Sequence, residues 1–165
     1  MRVGMVEVQK RSWWLPHYIV TSIMDIHPQM LKAARITHIV FDLDNTLIGS
    51  RANTIPAKYV QHIKKLKSAG FTVFIGSNTR RDITGPIAQL GVVAIVPKGL
   101  SFKPRRSFYA RATAAANTSP QHIAMVGDHI VHDIIGANRA GYTSVLVQAL
   151  DSKWAWMRRI FIRFG

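Results

Sequence analysis

Residues 38–50 read HIVFDLDNTLIGS, and the fold turns on how they are understood. The run from His38 to Phe41 is short, apolar and β-branched. Asp42 and Asp44 follow directly, and Asn45-Thr46 then reads as a turn. An unbroken apolar run closed by turn residues fits a strand buried on both faces. Carboxylates are scarce in this chain, with 8 acidic residues against 22 basic ones. Two of them one residue apart, at the mouth of a buried strand, call for a chemical reason.

Outward from this stretch, short apolar runs alternate with helical patterns. FTVFIG (71–76), VVAIV (92–96), HIAMVGD (122–128) and TSVLV (143–147) read as strands beside HIVFD (38–42). Between them, 56–70 opens on Pro56 and stops at Gly70, with Tyr59, Ile63 and Leu66 at helical spacing. Its lysines (58, 64, 65, 67) read as a solvated face. Further helices are expected over 80–90, 104–117 and 131–140. Strands alternating with helices predict βα units, hence an α/β fold around a mainly parallel five-stranded sheet. One domain is expected over 1–165. Residues 11–34 read as a mostly helical extension. Residues 152–164 read as an amphipathic helix with Trp154, Met157, Ile160, Phe161 and Phe164 on one face.

Composition narrows the classes. Apolar residues make up 48% of the chain, which excludes a disordered polymer. There is no cysteine, so thiolate metal sites and disulfides are excluded. No apolar run reaches the roughly 18 residues that span a bilayer. A cytoplasmic protein is expected. The net charge of +14 points to anionic partners.

In an open parallel sheet, ligands bind beyond the carboxyl ends of the strands. The first strand brings Asp42 and Asp44 there, the second Ser77 and Asn78. The loop after the third brings Lys98 and Lys103, and the fourth strand brings Asp128, with Asp133 five residues on. Carboxylates gathered in a cleft need a cation. Hard oxygen ligands that leave room for substrate suit Mg²⁺. A hydroxyl, an amide and an ammonium facing such a site suit a phosphoryl group. An aspartate can attack phosphorus while its neighbour moves protons. A lone D-x-D would be compatible with an Asx turn, but an EF-hand fails, since its sixth position would be Leu47 instead of glycine.

HIVFDLDNT, FIGSNT, FKP and MVGDHIVHD, in this order, resemble the four motifs of the haloacid dehalogenase (HAD) superfamily of phosphatases. LP and DI near the N-terminus, FDLDNTL, SNT, KP and GANRAGY are similar to its class IIIA YqeG type, and so to the phosphatidylglycerophosphate phosphatases. The resemblance spans about residues 36–147. It implies a Rossmannoid three-layer sandwich. It implies Asp42 as nucleophile and Asp44 as acid/base. It implies Mg²⁺ held by Asp42, the backbone carbonyl of Asp44 and Asp128, with Asp133 in support, and phosphate held by Ser77 and Lys103; Asn78, from its place after Ser77 at the strand end, is expected to bind substrate too. Lys103, ahead of Pro104, fits better than Lys98. His129 and His132 read as exposed loop residues. Asn138-Arg139 read equally as helix C-terminal residues or as substrate contacts.

The gaps from Thr46 to Phe71 and from Thr79 to Lys103 are too short for a cap domain. An open cleft suits a substrate that brings its own bulk. Basic charge and aromatic ends then favour an anionic phospholipid headgroup, with the enzyme peripheral on the inner face of the membrane. No base-stacking motif favours nucleic acid. The alternatives are a phosphatase for a soluble or nucleic-acid phosphoester, and a non-enzymatic ribosome- or RNA-associated module.

Overall fold

The structure is a computed structural model, and it describes residues 6–7, 12–49 and 52–150. Its centre is a sheet of seven strands in the order β1-β2-β7-β6-β3-β4-β5. The five strands read from the sequence are β3 (His38–Phe41), β4 (Thr72–Gly76), β5 (Val93–Ile95), β6 (Ile123–Gly127) and β7 (Thr143–Val147). All of these are parallel, and β3 lies between β4 and β6.

The sheet is wider than the five strands expected. β2 (Tyr18–Val20) joins parallel to β7, and β1 (Val6–Glu7) pairs antiparallel at the edge. Residues 11–34 are therefore not mostly helical. Tyr18-Ile19-Val20 is too short to show alternation, and its β-branched residues gain a strand partner in β7 only in the fold. A 3₁₀ turn over Ile23–Asp25 and a short helix α1 (Pro28–Ala33) complete this segment. Ser22 and Asp25 close that turn with a reciprocal capping box. Residues 152–164 lie outside the described residues.

Period-two alternation sends side chains to both faces of the sheet. Ile39, Phe41, Val73, Ile75, Ala124 and Val126 pack under α1, α2 (Ala57–Ser68) and α3 (Thr84–Leu90). Val40, Phe74, Ile123 and Met125 face Phe108, Tyr109 and Ala112 of α4 (Arg106–Ala116), with Ala137 of α5 (Gly136–Ala140). The result is the three-layer sandwich expected. Neither gap carries a cap among the described residues; the first holds a loop and α2, the second α3 and β5.

Two local readings are corrected. Lys67 is not merely solvated: its Nζ donates to the carbonyls of Leu90 and Gly91, both at 2.9 Å, and so caps the C-terminus of α3. The helix expected over 131–140 opens as a π-helix (Ile130–Ile135) before narrowing into α5. Tyr109 closes against this wide turn, its hydroxyl donating to the His132 carbonyl at 2.5 Å. Gly136 leaves room for that ring, since a β-carbon there would stand 2.7 Å from the Tyr109 hydroxyl oxygen.

Candidate active site

The chain leaves β3 for β4 and β5 on one side, then returns to build β6 and β7 on the other. This reversal puts a crevice at the carboxyl ends of β3 and β6. Asp42 sits at its edge. Its backbone N–H still joins the ladder, bonding Val126 O at 2.8 Å, so the carboxylate is fixed beside Gly127-Asp128. Leu43, Leu47 and Ile48 are fully buried and pin the next loop to the core. Asn45 turns that loop in the left-handed region with φ 62°. Asp44 is thereby held half-buried at the cleft while its apolar neighbours face inward.

Asp42, Asp128 and Asp133 each offer one oxygen, and these oxygens lie within 4.8 Å of one another. Lys103, only 1% exposed, reaches into the group from the loop before α4. Its Nζ lies 2.5 Å from Asp42 Oδ1 and 2.6 Å from Asp133 Oδ1. Burial works against the ammonium, but Asp133 and Asp42 outweigh it and hold the Lys103 pKa above its ordinary value. Burial likewise pushes the Asp42 carboxyl up, to about 7, against the pull of Lys103 and with the push of Asp133. Asp128 is raised to about 6, by burial first and then by Asp133, while a bond from Thr46 Oγ1 at 3.1 Å opposes the shift.

These charges do not balance. Three carboxylates share one ammonium, and a doubly charged cation would close the difference. The donors are all hard oxygens with no sulfur or imidazole among them, so the residues present fit Mg²⁺.

The other expected residues gather around this centre. Ser77 is buried at the end of β4, and its Oγ accepts from the Thr79 N–H at 3.1 Å. Asn78 has both ends of its amide on Lys103: Nδ2 donates to Lys103 O at 2.9 Å, and Oδ1 accepts from Lys103 N at 2.8 Å. It thus fixes the backbone from which the lysine extends. Lys98 is exposed in a turn closed by Ser101. Asp133 Oδ2 accepts from the His129 N–H at 3.0 Å, so one oxygen holds the loop and the other holds Lys103. His129 is exposed, His132 half-buried, and their rings stack at 4.0 Å.

Three contributors escaped the sequence reading. Arg81 forms an ion pair with Asp44 Oδ1 and also donates to Ala52 O at 3.0 Å. The doublet Arg80-Arg81, directly after SNT, was a signal, but it was absorbed into the following helix. Thr46 binds Asp128 across 82 positions of sequence, and Tyr109 supports the π-turn that carries Asp133. Asn138, by contrast, is structural. Its Nδ2 donates to the carbonyls of Trp13 and Leu15 at 3.0 and 2.7 Å, and its Oδ1 accepts from Ser144 Oγ. Arg139 lies over the Trp13 ring at 4.9 Å.

Known proteins agree with this geometry. The family model described as mitochondrial PGP phosphatase matches residues 4–83, and the HAD-hydrolase-like model matches residues 102–152. The chain is 28% identical over 155 residues to the probable phosphatase YqeG of Bacillus subtilis, covering 90% of this chain and 86% of that protein. It is 25% identical over 163 residues to the chloroplastic/mitochondrial phosphatidylglycerophosphate phosphatase 1 of Arabidopsis thaliana, covering 88% of this chain but 44% of that protein. An uncharacterized protein of Listeria monocytogenes serotype 4b shares the fold with a TM-score of 0.57 at 18% identity, over 79% of this chain and 100% of that one. The cobalt-bound deoxy-D-mannose-octulosonate 8-phosphate phosphatase of Haemophilus influenzae does so with 0.54 at 20%, over 70% of each chain. With matches to both halves of the sequence and this fold beneath them, the chain is a phosphatase similar to the YqeG type of the haloacid dehalogenase superfamily.

Proposed function

We propose that the protein hydrolyses a phosphomonoester lipid, phosphatidylglycerophosphate or a close analogue, through an aspartyl-phosphate on Asp42. The observation that carries the mechanism is the buried Lys103 ammonium spanning Asp42 and Asp133 inside a group of three carboxylates. An oxygen of Asp42 attacks phosphorus, and the bond from phosphorus to the leaving oxygen breaks. Asp44 gives that oxygen its proton, then takes one from the water that attacks the phosphoaspartate. Inorganic phosphate leaves and Asp42 is regenerated.

Lys103 and Ser77 donate to the phosphoryl oxygens, and Asn78 acts by setting the position of Lys103. The lysine also counters the burial that raises Asp42, which must be ionised to attack. Asp42, the backbone carbonyl of Asp44 and Asp128 would hold Mg²⁺, with Asp133 in support. Bound there, the ion supplies positive charge to the phosphoryl oxygens and the attacking carboxylate.

The lipid reading is supported by similarity to a phosphatidylglycerophosphate phosphatase, by the open, capless cleft and by the +14 charge. We place the reaction at the cytoplasmic face of an anionic bilayer. No helix among the described residues is long and apolar enough to cross one. Trp13 and Trp14 do not bring the cleft to that surface. They precede the amino end of β2, which runs parallel to β7, and Asn138, bonded to the carbonyls of Trp13 and Leu15 and to Ser144, ties this stretch beside the amino end of β7. The catalytic carboxylates stand at the opposite edge.

Phosphate release from phosphatidylglycerophosphate in anionic vesicles, set beside a panel of soluble phosphomonoesters, tests the proposal. Turnover of the lipid well above the panel supports it. Brisk turnover of a soluble ester or a nucleic-acid 5′-phosphate with none of the lipid would transfer the assignment to that class.

A further inference from the structure

Beside the catalytic group lies a cleft of about 660 Å³, lined by residues 79–84, Ile87, and Ala94, Val96, Pro97 and Gly99 at and beyond the end of β5. A phosphoryl group alone would leave most of it empty, and the volume falls in the range of small-molecule sites. Two arginines stand on its wall. Arg81 joins it to the catalytic group, since the same guanidinium holds Asp44. Its contacts to Asp44 and Ala52 occupy part of a fork that carries five N–H donors. Arg80 is exposed and has no partner among the described residues. The one carboxylate on this wall, Asp82, turns back to accept from the Thr84 N–H at 2.9 Å. Ile83, Ile87, Val96 and Pro97 supply apolar wall, so the cleft combines a cationic rim with a greasy floor.

We propose that this cleft is a subsite for a second anionic group carried on the leaving group of the substrate. The inference rests on the phosphomonoesterase reading and narrows it. The preferred substrates bear, a few atoms from the scissile phosphate, a phosphodiester or a carboxylate that Arg80 and the free donors of Arg81 can bind. Paired guanidinium groups match the planar, bidentate demand of either anion. Arg81 touches both this subsite and Asp44, so the second anion is bound next to the residue that protonates the leaving oxygen. The preference for a doubly anionic substrate is thus set within the protein and needs no membrane.

Three water-soluble probes separate the sources of the anion. Glycerophosphoglycerol phosphate carries a diester, 3-phosphoglycerate carries a carboxylate, and glycerol 3-phosphate carries neither. Binding is measured by calorimetry in the Asp42→Asn protein with Mg²⁺, so that no turnover is needed, and kcat/KM is measured in the wild type. At least one doubly anionic probe should exceed glycerol 3-phosphate by about 10- to 100-fold, as expected for hydrogen bonds to a charged group. Arg80→Gln should reduce that ratio about tenfold. Thr84→Glu, which sets a carboxylate on the exposed lip of the cleft, should reduce it in the same direction. Equal binding of all three probes, or ratios unmoved in both variants, would overturn the subsite. Selective binding without hydrolysis of any probe would retain the subsite and sink the phosphomonoesterase reading instead.

Discussion

A β-carbon on residue 127 would stand 2.2 Å from Oδ2 of Asp133. Gly127 is therefore the seat on which the Asp133 carboxylate rests, and Asp133 in turn holds Lys103 at 2.6 Å. Gly127→Ala should displace the carboxylate and, through it, the ammonium that faces Asp42. We expect kcat/KM to fall by about 10²-fold, the usual consequence of shifting a catalytic group by an ångström. The thermal midpoint should fall as well, because overpacking at this contact costs about 1–3 kcal/mol. Full activity in Gly127→Ala would show that Asp133 does not set the position of Lys103.

Asp42→Asn should abolish turnover while leaving the chain folded, because an amide matches the carboxylate in shape but does not attack phosphorus. Asp44→Asn should slow the reaction by about 10²–10⁴-fold, as expected when a general acid is lost. With labelled substrate and Asp44→Asn protein, radioactivity retained after denaturation should map to the peptide containing Asp42. Label on any other peptide would refute the nucleophile.

Mg²⁺ should raise the thermal midpoint, and a chelator should stop hydrolysis; Ca²⁺, which prefers looser coordination, should restore it poorly. Asp128→Asn should lose the Mg²⁺-dependent shift yet be more stable than wild type without added metal at pH 7.5. The folded-state pKa of Asp128 is raised to about 6, so its ionised form is disfavoured by the fold. Stability from this group is greatest when it is protonated and is lost as pH rises through 6. Each pKa unit corresponds to about 1.4 kcal/mol, so a gain of about 2 kcal/mol is expected after allowing for partial exposure. Denaturant unfolding at pH 7.5 checks it; a less stable Asp128→Asn protein would contradict the account.

His62 gives a pH effect of opposite sign. It is buried in α2, within hydrogen-bond distance of Ile26 O at 3.1 Å, and burial is the largest cause of its lowered pKa. The fold favours the neutral ring, so its contribution is present above pH 6.5 and is lost as pH falls below that value. Gln at this position can still donate to Ile26 O without titrating. Wild type should therefore lose stability relative to His62→Gln between pH 7 and 5. A constant gap between the two proteins would show that His62 does not titrate across the transition.

The sheet core was legible because its strands are buried on both faces, and such strands must be continuous apolar runs. β3 to β7 announce themselves in this way. β2 does not, because three residues carry no period and their partner, Val145 to Val147, lies more than a hundred positions away. The gathering of carboxylates was legible for a similar reason: few acids exist in this chain, and four of them fall at two strand ends. What could not be read were contacts that cross the chain without a local pattern. Arg81 on Asp44, Thr46 on Asp128 and Lys67 on the end of α3 each join distant segments; the Arg80-Arg81 doublet hinted at the first, but no local pattern names the partner of any of the three. Asn78 was read as a ligand of phosphate from its place after Ser77; its amide instead meets the Lys103 backbone, a role that only the folded loop reveals.

The wide turn from Ile130 to Ile135 has a consequence for helical phase. Successive residues of an α-helix are set about 100° apart, so the extra residue taken up by a π-turn rotates everything beyond it by about that angle. Asp133, inside the turn, points to the catalytic edge of the sheet, whereas Asn138, beyond it, grips Trp13 and Leu15 at the other edge. Deleting one residue from this turn would leave a regular helix able to satisfy one of these orientations but not both. The wide turn thus works as a phase shifter that sets which way Asp133 and Asn138 face, while the rise along this one short segment carries it from one edge of the sheet toward the other.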